Sequence, residues 1–454
     1  MKLEYILLGA AVMSLFGRET SGAEFSPAAT RGLEVLRTHS FLPPDFDEAV
    51  LDSLWTTWPE PEKTQAGSAS AEERRKLTFS YYGLMPTPEG VPGELPALGY
   101  TSNGHGGWVM NCLTCHGGKV AGKVIPGLPN THLALQTLVE DVRLIKLQQR
   151  KPLSHLDLGI VTLPLNATNG TTNSVIFGVV LGAFRLPDMS VDITRPIPAL
   201  VHHDLDAPPF WNVRKKSSLY IDGFSPKTHR PLMQFMLIPK NTREIVYGWE
   251  DDFRDILAWI ESVEAPAYPW HVDARLAEEG RKVFDDHCAR CHGTYGREGH
   301  YEQRTIPWSE VRTDRVRLDA LTSEHRQWMK DGWMSQYGED SVVVNPVGYV
   351  APPLDGIWAS APYFHNGSVP TLWHVLHPDR RPAVWRRTED GYDTHRVGLE
   401  VEELTTIPKE VRHPAHRRRY FDASLTGKSA AGHDFPNALT PAEKLAVLEY
   451  LKSL

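Results

Sequence analysis

Apolar residues recur at helical spacing in four parts of the chain, and they alternate with polar ones almost nowhere. In "VDARLAEEGRKVFDDHC", Leu276, Val283 and Phe284 fall on one helical face. The C-terminal "TPAEKLAVLEYLKSL" opens with Thr440 as N-cap, Pro441 at the first helical position and Glu443 two residues on, a complete capping box. Leu445, Leu448, Tyr450 and Leu451 form its apolar stripe, and this helix is expected to pack on the one before it in this description. Two more helical runs cover Thr131 to Arg150 and Asp251 to Val263. The Pro-rich "EAPAYPWHVD" that follows the latter sets a boundary near residue 265. The pattern therefore predicts a mainly α protein in two units, 24–265 and 266–454, with long irregular loops rich in Pro and Gly.

The first 23 residues stand outside that scheme. Lys2 supplies a short positive region partly offset by Glu4, Tyr5 to Phe16 is apolar, and Ser21-Gly22-Ala23 offers a small-residue cleavage site. The apolar run is too short to cross a hydrocarbon layer of ~30 Å. Residues 1–23 thus read as a signal peptide, and the mature protein as periplasmic or secreted, with no membrane span.

A net charge of −8 leaves no basic footprint for nucleic acid. The one basic run, "HPAHRRRY" at 413–420, reads as a solvated face. The chain has four cysteines, all in Cys-x-x-Cys pairs: "NCLTCHGG" with Cys112 and Cys115, and "HCARCHGT" with Cys288 and Cys291. A histidine follows each pair, His116 and His292. A structural zinc site could use four thiolates but would not need those histidines. With 20 histidines in 454 residues, chance would place one after both pairs roughly once in 500 sequences. A redox dithiol would expect a βαβ context that neither pair has. The spacing suits covalent haem: two thioethers one helical turn apart, and the next residue under the ring as an iron ligand. Two haem c groups follow, one per unit, which makes the two units cytochrome c-like haem domains in tandem.

Past the second motif, "APYFHNGSVPTL" (361–372) resembles the shared motif of the bacterial dihaem cytochrome c peroxidases and MauG. "FDASLTGKSAAGHDF" (421–435) resembles the RoxA-type rubber oxygenases and their relatives, and "DAPPFWNVRKKSSLYIDGF" (206–224) is similar to a segment that both groups place over the first haem. The resemblance implies that the N-terminal haem meets peroxide or dioxygen and that the C-terminal haem transfers electrons. The peroxidases then supply a methionine as second axial ligand, and MauG a tyrosine. Residues 372–387 hold neither here, and the RoxA-like pattern offers His433 instead. Ligation by His292 and His433 would give a low-spin, low-potential centre. His365 is a weaker iron candidate, expected to bond backbone or propionate. Ser360, Pro362 and Asn212 match positions that bind a structural calcium in the peroxidases.

The same resemblance places aromatic residues in the pocket above His116: Trp211 and Phe224 are carried over, beside Phe210 and Tyr220. Arg214, with Lys215 and Lys216, would neutralise propionates or polarise bound peroxide. His203 or its neighbour His202 would cap the first iron in a resting enzyme. Met110 and His105 flank the first motif without a spacing argument. The expected function is an exported dihaem oxidoreductase that draws electrons from a donor protein or quinol-linked carrier. A small peroxide or apolar compound suits it better than rubber, because the chain is much shorter than the rubber oxygenases. The competing class is a non-catalytic electron carrier with both irons six-coordinate; a haem-based sensor is a third.

Overall fold

The computed structural model describes residues 25–88, 96–194, 201–335 and 342–454. The expected signal segment at 1–23 lies outside the described residues. Of the helices with ten residues or more among the described residues, five matter below: α1 (Pro27–Thr38), α2 (Leu135–Gln148), α3 (Glu250–Ser262), α4 (Ala274–His287) and α5 (Pro441–Lys452). The last four match the helical periods of the sequence to within a few residues. α5 has the capping box expected of it, with Thr440 and Glu443 bonding each other's backbone. Its stripe is shifted, however: Val447, Leu448, Tyr450 and Leu451 are buried, whereas Leu445 is exposed.

α1 packs on α3 and α4 packs on α5, and in both pairs a glycine sets the approach. A Cβ on Gly32 would stand 1.9 Å from the Asp255 carbonyl oxygen, and one on Gly280 would stand 1.9 Å from that of Ala446. Only a residue without a side chain lets the backbones meet so closely. Phe284 of α4 is then buried against Tyr450 of α5, ring centroids 5.3 Å apart.

The mainly α reading does not hold. Helix makes up 42% and strand 14% of the structure, a mixed α/β fold with several small sheets. Phe46–Asp47, Gly107–Met110 and Tyr100–Ser102 form an antiparallel sheet that leads into the first motif. Thr305–Pro307 pairs with Gly348–Val350. The hairpin Val384–Asp393 and Gly398–Leu404 takes Tyr420–Asp422 as a third strand. Most of these strands have two to four residues, too few to show a period of two, and the longest is buried only at its start.

Two tandem haem domains are not distinct either, because packing crosses residue 265 throughout. One core cluster joins Leu128 and Trp211 to Phe284, Trp358 and Val447, and another brings Trp333 in among Phe210, Phe253 and Trp259. Buried charges also span the halves: Asp222 holds both Arg317 and Arg326, and Asp204 holds Lys428 at 2.7 Å. Burial opposes the Asp204 charge, but the Lys428 ammonium and the Thr171 hydroxyl outweigh it and hold the carboxyl down at about 2.

Two stability predictions result. Gly280→Ala should cost about 1–3 kcal/mol through overpacking, read as a lower urea midpoint, while Gly248→Ala, which meets no neighbour within 4 Å, should be neutral or slightly stabilising. Asp204→Asn should cost about 3–5 kcal/mol, since it strands a buried ammonium. In the parent protein the Asp204 contribution is complete above about pH 4 and fades as pH falls toward 2, since its folded pKa lies below the unfolded one. A denaturation series against pH checks that slope.

Candidate functional site

Each Cys-x-x-Cys-His motif ends in one short helical turn, Leu113–His116 and Ala289–His292. The turn sets its two cysteines and its histidine along one wall of a cavity of about 600 Å³ that reaches both motifs. That volume is within the range of roughly 300–1,000 Å³ typical of small-molecule sites. Its lining is predominantly apolar, with Leu, Val, Ile and Phe side chains from both halves of the chain. Among the described residues no three His, Cys, Asp or Glu groups cluster as a metal site, so the four cysteines do not assemble one zinc centre.

The two motif histidines are oriented in the same way. The Nδ1–H of His116 donates to the Pro208 carbonyl at 2.9 Å, and that of His292 to the Pro352 carbonyl at 2.9 Å. Each acceptor is the first proline of an Ala-Pro-Pro triplet, 207–209 and 351–353. Such a bond fixes the tautomer with Nε2 unprotonated and free to bind a metal. Burial keeps both rings neutral, that of His116 pushed down to about 4.

The surroundings of the two rings differ. Across from His292 stands His433, ring centroids 6.2 Å apart. Two imidazoles bonded at about 2.0 Å to opposite sides of one metal have centroids roughly 6 Å apart, so the pair fits an iron between them. Burial and the neighbouring His292 hold His433 neutral, down at about 3. Its loop is clamped by Arg381, which donates to the carbonyls of Ala430 and Gly432, and by Asn366, which reaches those of Gly427 and Ser429. The "YFHNG" stretch therefore positions the loop, and Phe364 within it lies 5.9 Å from the His433 ring. His116 instead has Phe210 stacked beside it at 4.2 Å. Among the described residues no histidine ring faces His116 at the separation seen for His292.

The other expected site residues scatter. His365 lines the cavity and packs on Tyr349 at 4.5 Å, its backbone carbonyl accepting the Asp206 N–H. His203 is buried with Nδ1 on the Val201 carbonyl, and neither it nor His202 lines the cavity. Trp211 is wholly buried, its indole N–H on the Asp355 carbonyl at 2.6 Å, and Phe224 packs with Met329, Met334 and Val342. Neither reaches the cavity wall, whereas Phe210 and Tyr220 do. Arg214 is exposed and Lys215 pairs with Asp355 at 2.7 Å, so of that trio only Lys216 lines the cavity. Burial brings the Lys216 amine down to about 8. Asn212, Ser360 and Pro362 share the cavity wall, and the buried Asn212 Oδ1 has no partner, as an oxygen donor to a cation would. Met110 lines the cavity, while His105 is in an exposed loop.

Sequence reading missed Arg317. Its guanidinium is fully buried on Asp222 and lines the cavity, with Nε and one terminal nitrogen unpartnered. Together with Lys216 it offers positive charge to a carboxylate such as a haem propionate. No motif marks it. The twin Ala-Pro-Pro triplets were missed as well, although their repetition next to the quoted motifs is a signal that could have found them.

Comparison with known proteins bears on this cavity. Residues 348–386 match the family described as RoxA-like, cytochrome c-like. That segment is cytochrome c-like, and it implies haem c. It supplies Pro352, Tyr349, His365 and the "YFHNG" stretch, while both cysteine pairs lie outside it. The chain is also similar to two uncharacterized proteins of Sinorhizobium fredii (strain NBRC 101917 / NGR234). It is 30% identical to y4iM over 201 residues, 39% of this chain and 45% of that protein. It is 27% identical to y4iJ over 245 residues, 40% of this chain and 39% of that protein. The chain thus matches under half the length of either relative.

The donor set fits covalent haem, and a stoichiometric prediction follows. The pairs Cys112→Ala/Cys115→Ala and Cys288→Ala/Cys291→Ala should each halve the covalent haem per chain in a pyridine haemochrome assay. An undiminished haem content in either variant would remove that motif from the assignment.

Proposed function

We propose that this protein is an exported dihaem c-type cytochrome of oxidoreductase type, related to the dihaem peroxidase, MauG and RoxA group. In this reading Cys112, Cys115 and His116 would hold one haem, and Cys288, Cys291, His292 and His433 would hold the other. The observation that carries it is the asymmetry of the two histidines: His292 has an imidazole opposite at 6.2 Å, and His116 has a phenyl ring beside it. A haem with a free axial position can bind peroxide or dioxygen, whereas one with two imidazoles only passes electrons. A haem held by His116 would accordingly supply the peroxide or dioxygen chemistry, and one held by His292 and His433 would supply electrons.

Haem, when bound, would supply the redox chemistry; the chain's residues supply orientation and exclusion of water. Pro208 and Pro352 hold the two imidazoles in register. Arg317 and Lys216 face the cavity as partners for propionate carboxylates. The apolar wall beside Phe210 suits a small peroxide, dioxygen or an apolar organic substrate. A periplasmic or secreted location agrees with the leader-like residues 1–23 and with covalent haem, and electrons would come from a donor protein or quinol-linked carrier.

Low-temperature EPR of the air-oxidised holoprotein tests this directly. The expected spectrum has one high-spin and one low-spin ferric haem. Two low-spin haems that persist after half-reduction would make the protein an electron carrier and end the catalytic reading. His433→Ala should convert the low-spin signal to high-spin at unchanged haem content, and an unaltered signal would dismiss His433 as a ligand.

A further inference from the structure

A second, much smaller cavity lies across the seam between the halves and shares no lining residue with the one that reaches the motifs. On one side is the hairpin Gly117–Val120 and Lys123–Pro126, which starts directly after His116. On the other is the strand Val384–Asp393. The cavity measures about 20 Å³. That is room for one water-sized species, which needs roughly 10–15 Å³. Its wall is partly apolar, with Leu128 and Leu399, and otherwise carries Lys119, Thr131, Arg387 and Asp390.

The charges on this wall do not cancel. The Asp390 carboxylate is taken by the His132 ring at 3.2 Å and the Lys119 ammonium at 2.6 Å, and these bonds hold it well below the usual carboxylate range. Burial keeps His132 itself neutral, down at about 4. Arg387 gives its hydrogen bonds to neutral acceptors: the Thr131 hydroxyl, the Glu389 carbonyl at 2.8 Å and the His132 ring at 3.5 Å. Its Nη2 has no partner among the described residues. Burial brings this guanidinium down to about 10, against the support of Asp390. Lys119 and Arg387 together thus face one carboxylate, and one positive charge on the wall lacks a counter-ion.

A cation withdrawn from water is stabilised by a charge-assisted bond more than by a neutral one. Donors for an anion are at hand on the same small void. They are the Nη2 of Arg387, the ammonium protons of Lys119 that Asp390 leaves free, and the Thr131 hydroxyl, whose oxygen accepts Arg387 and whose proton remains to give. Size restricts the occupant. A phosphate, a sulfate or an organic carboxylate is several times larger than one water and does not fit.

We propose that this cavity is a binding site for a small inorganic anion of the chloride class, held by Arg387, Lys119 and Thr131 across the seam. The bound ion ties the hairpin that follows the first motif to the strand 384–393 of the other half. No haem enters this inference, so it is tested independently of the function proposed above.

Potassium chloride is the probe, exchanged for potassium gluconate at constant ionic strength while the holoprotein is unfolded in urea. The folding equilibrium constant should rise roughly 10-fold when chloride reaches ten times its dissociation constant. Arg387→Gln should abolish that rise, and Lys119→Gln should weaken it. Stability that follows ionic strength alone, or a chloride response kept in full by Arg387→Gln, would overturn the site. The chloride NMR line width of the folded holoprotein gives a second reading that does not depend on how well Arg387→Gln folds. Excess broadening in the parent that falls in Thr131→Val and Lys119→Gln is expected. No excess broadening, or the same broadening in both variants, would overturn the proposal as well.

Discussion

Everything around the cavity depends on a hydrogen bond from a histidine to a proline carbonyl, made twice. Proline fixes its own φ and restricts the residue before it, so the carbonyls of Pro208 and Pro352 are presented by stiff backbone. With Nδ1–H committed to that carbonyl, the opposite nitrogen of each ring is the one available to a metal. The segments that deliver these carbonyls are themselves pinned. Phe210 donates its N–H to the Gly127 carbonyl just beyond the first motif, and Ala351 donates to the Arg304 carbonyl just beyond the second.

The halves of the chain then share what they enclose. Trp211 and Trp358 are buried in one cluster between the motifs, and ion pairs such as Asp222 with Arg317 and Arg326 close the seam. Arg326 is saturated by Asp222 and the carbonyls of Leu321 and Val343, but Arg317 is not. Two guanidiniums on one carboxylate leave a buried excess of positive charge at the cavity, which an anionic group on the occupant would neutralise. An apolar enclosure with a few fixed cations is the environment in which a haem is held and its potential set.

The contrast between the two histidines arises from elements far from the motifs. His433 reaches His292 because Arg381 and Asn366 fasten the 427–433 loop over the cavity, and His433 itself takes a left-handed backbone, φ 52°. Near His116 the chain spends its loops differently: Phe210 fills the flank of the ring, and the turn at 154–157 is anchored by a buried ion pair. Residues that resemblance placed in the pocket, Trp211, Phe224 and Arg214, are instead found in the core or at the surface. The resemblance read in 206–224 did not decide the direction in which its side chains point.

The primary sequence by itself determined which thiols and imidazole each motif presents, and the long helices, because both are local. Cys-x-x-Cys-His needs only one helical turn, and α5 needs only its cap and its apolar face. The histidine of "AAGHDF" was singled out differently, through the resemblance of its stretch to the RoxA-type proteins. Tertiary structure decided the rest. Strands of two to four residues draw their stability from partners distant in the chain, so their sequence shows no period, and the small sheets were invisible. Whether two units stay separate depends on cross-chain contacts such as Asp204 with Lys428, 224 positions apart. Arg317 belongs to no pattern at all; it became noticeable only once folding had buried polar atoms of its side chain without partners.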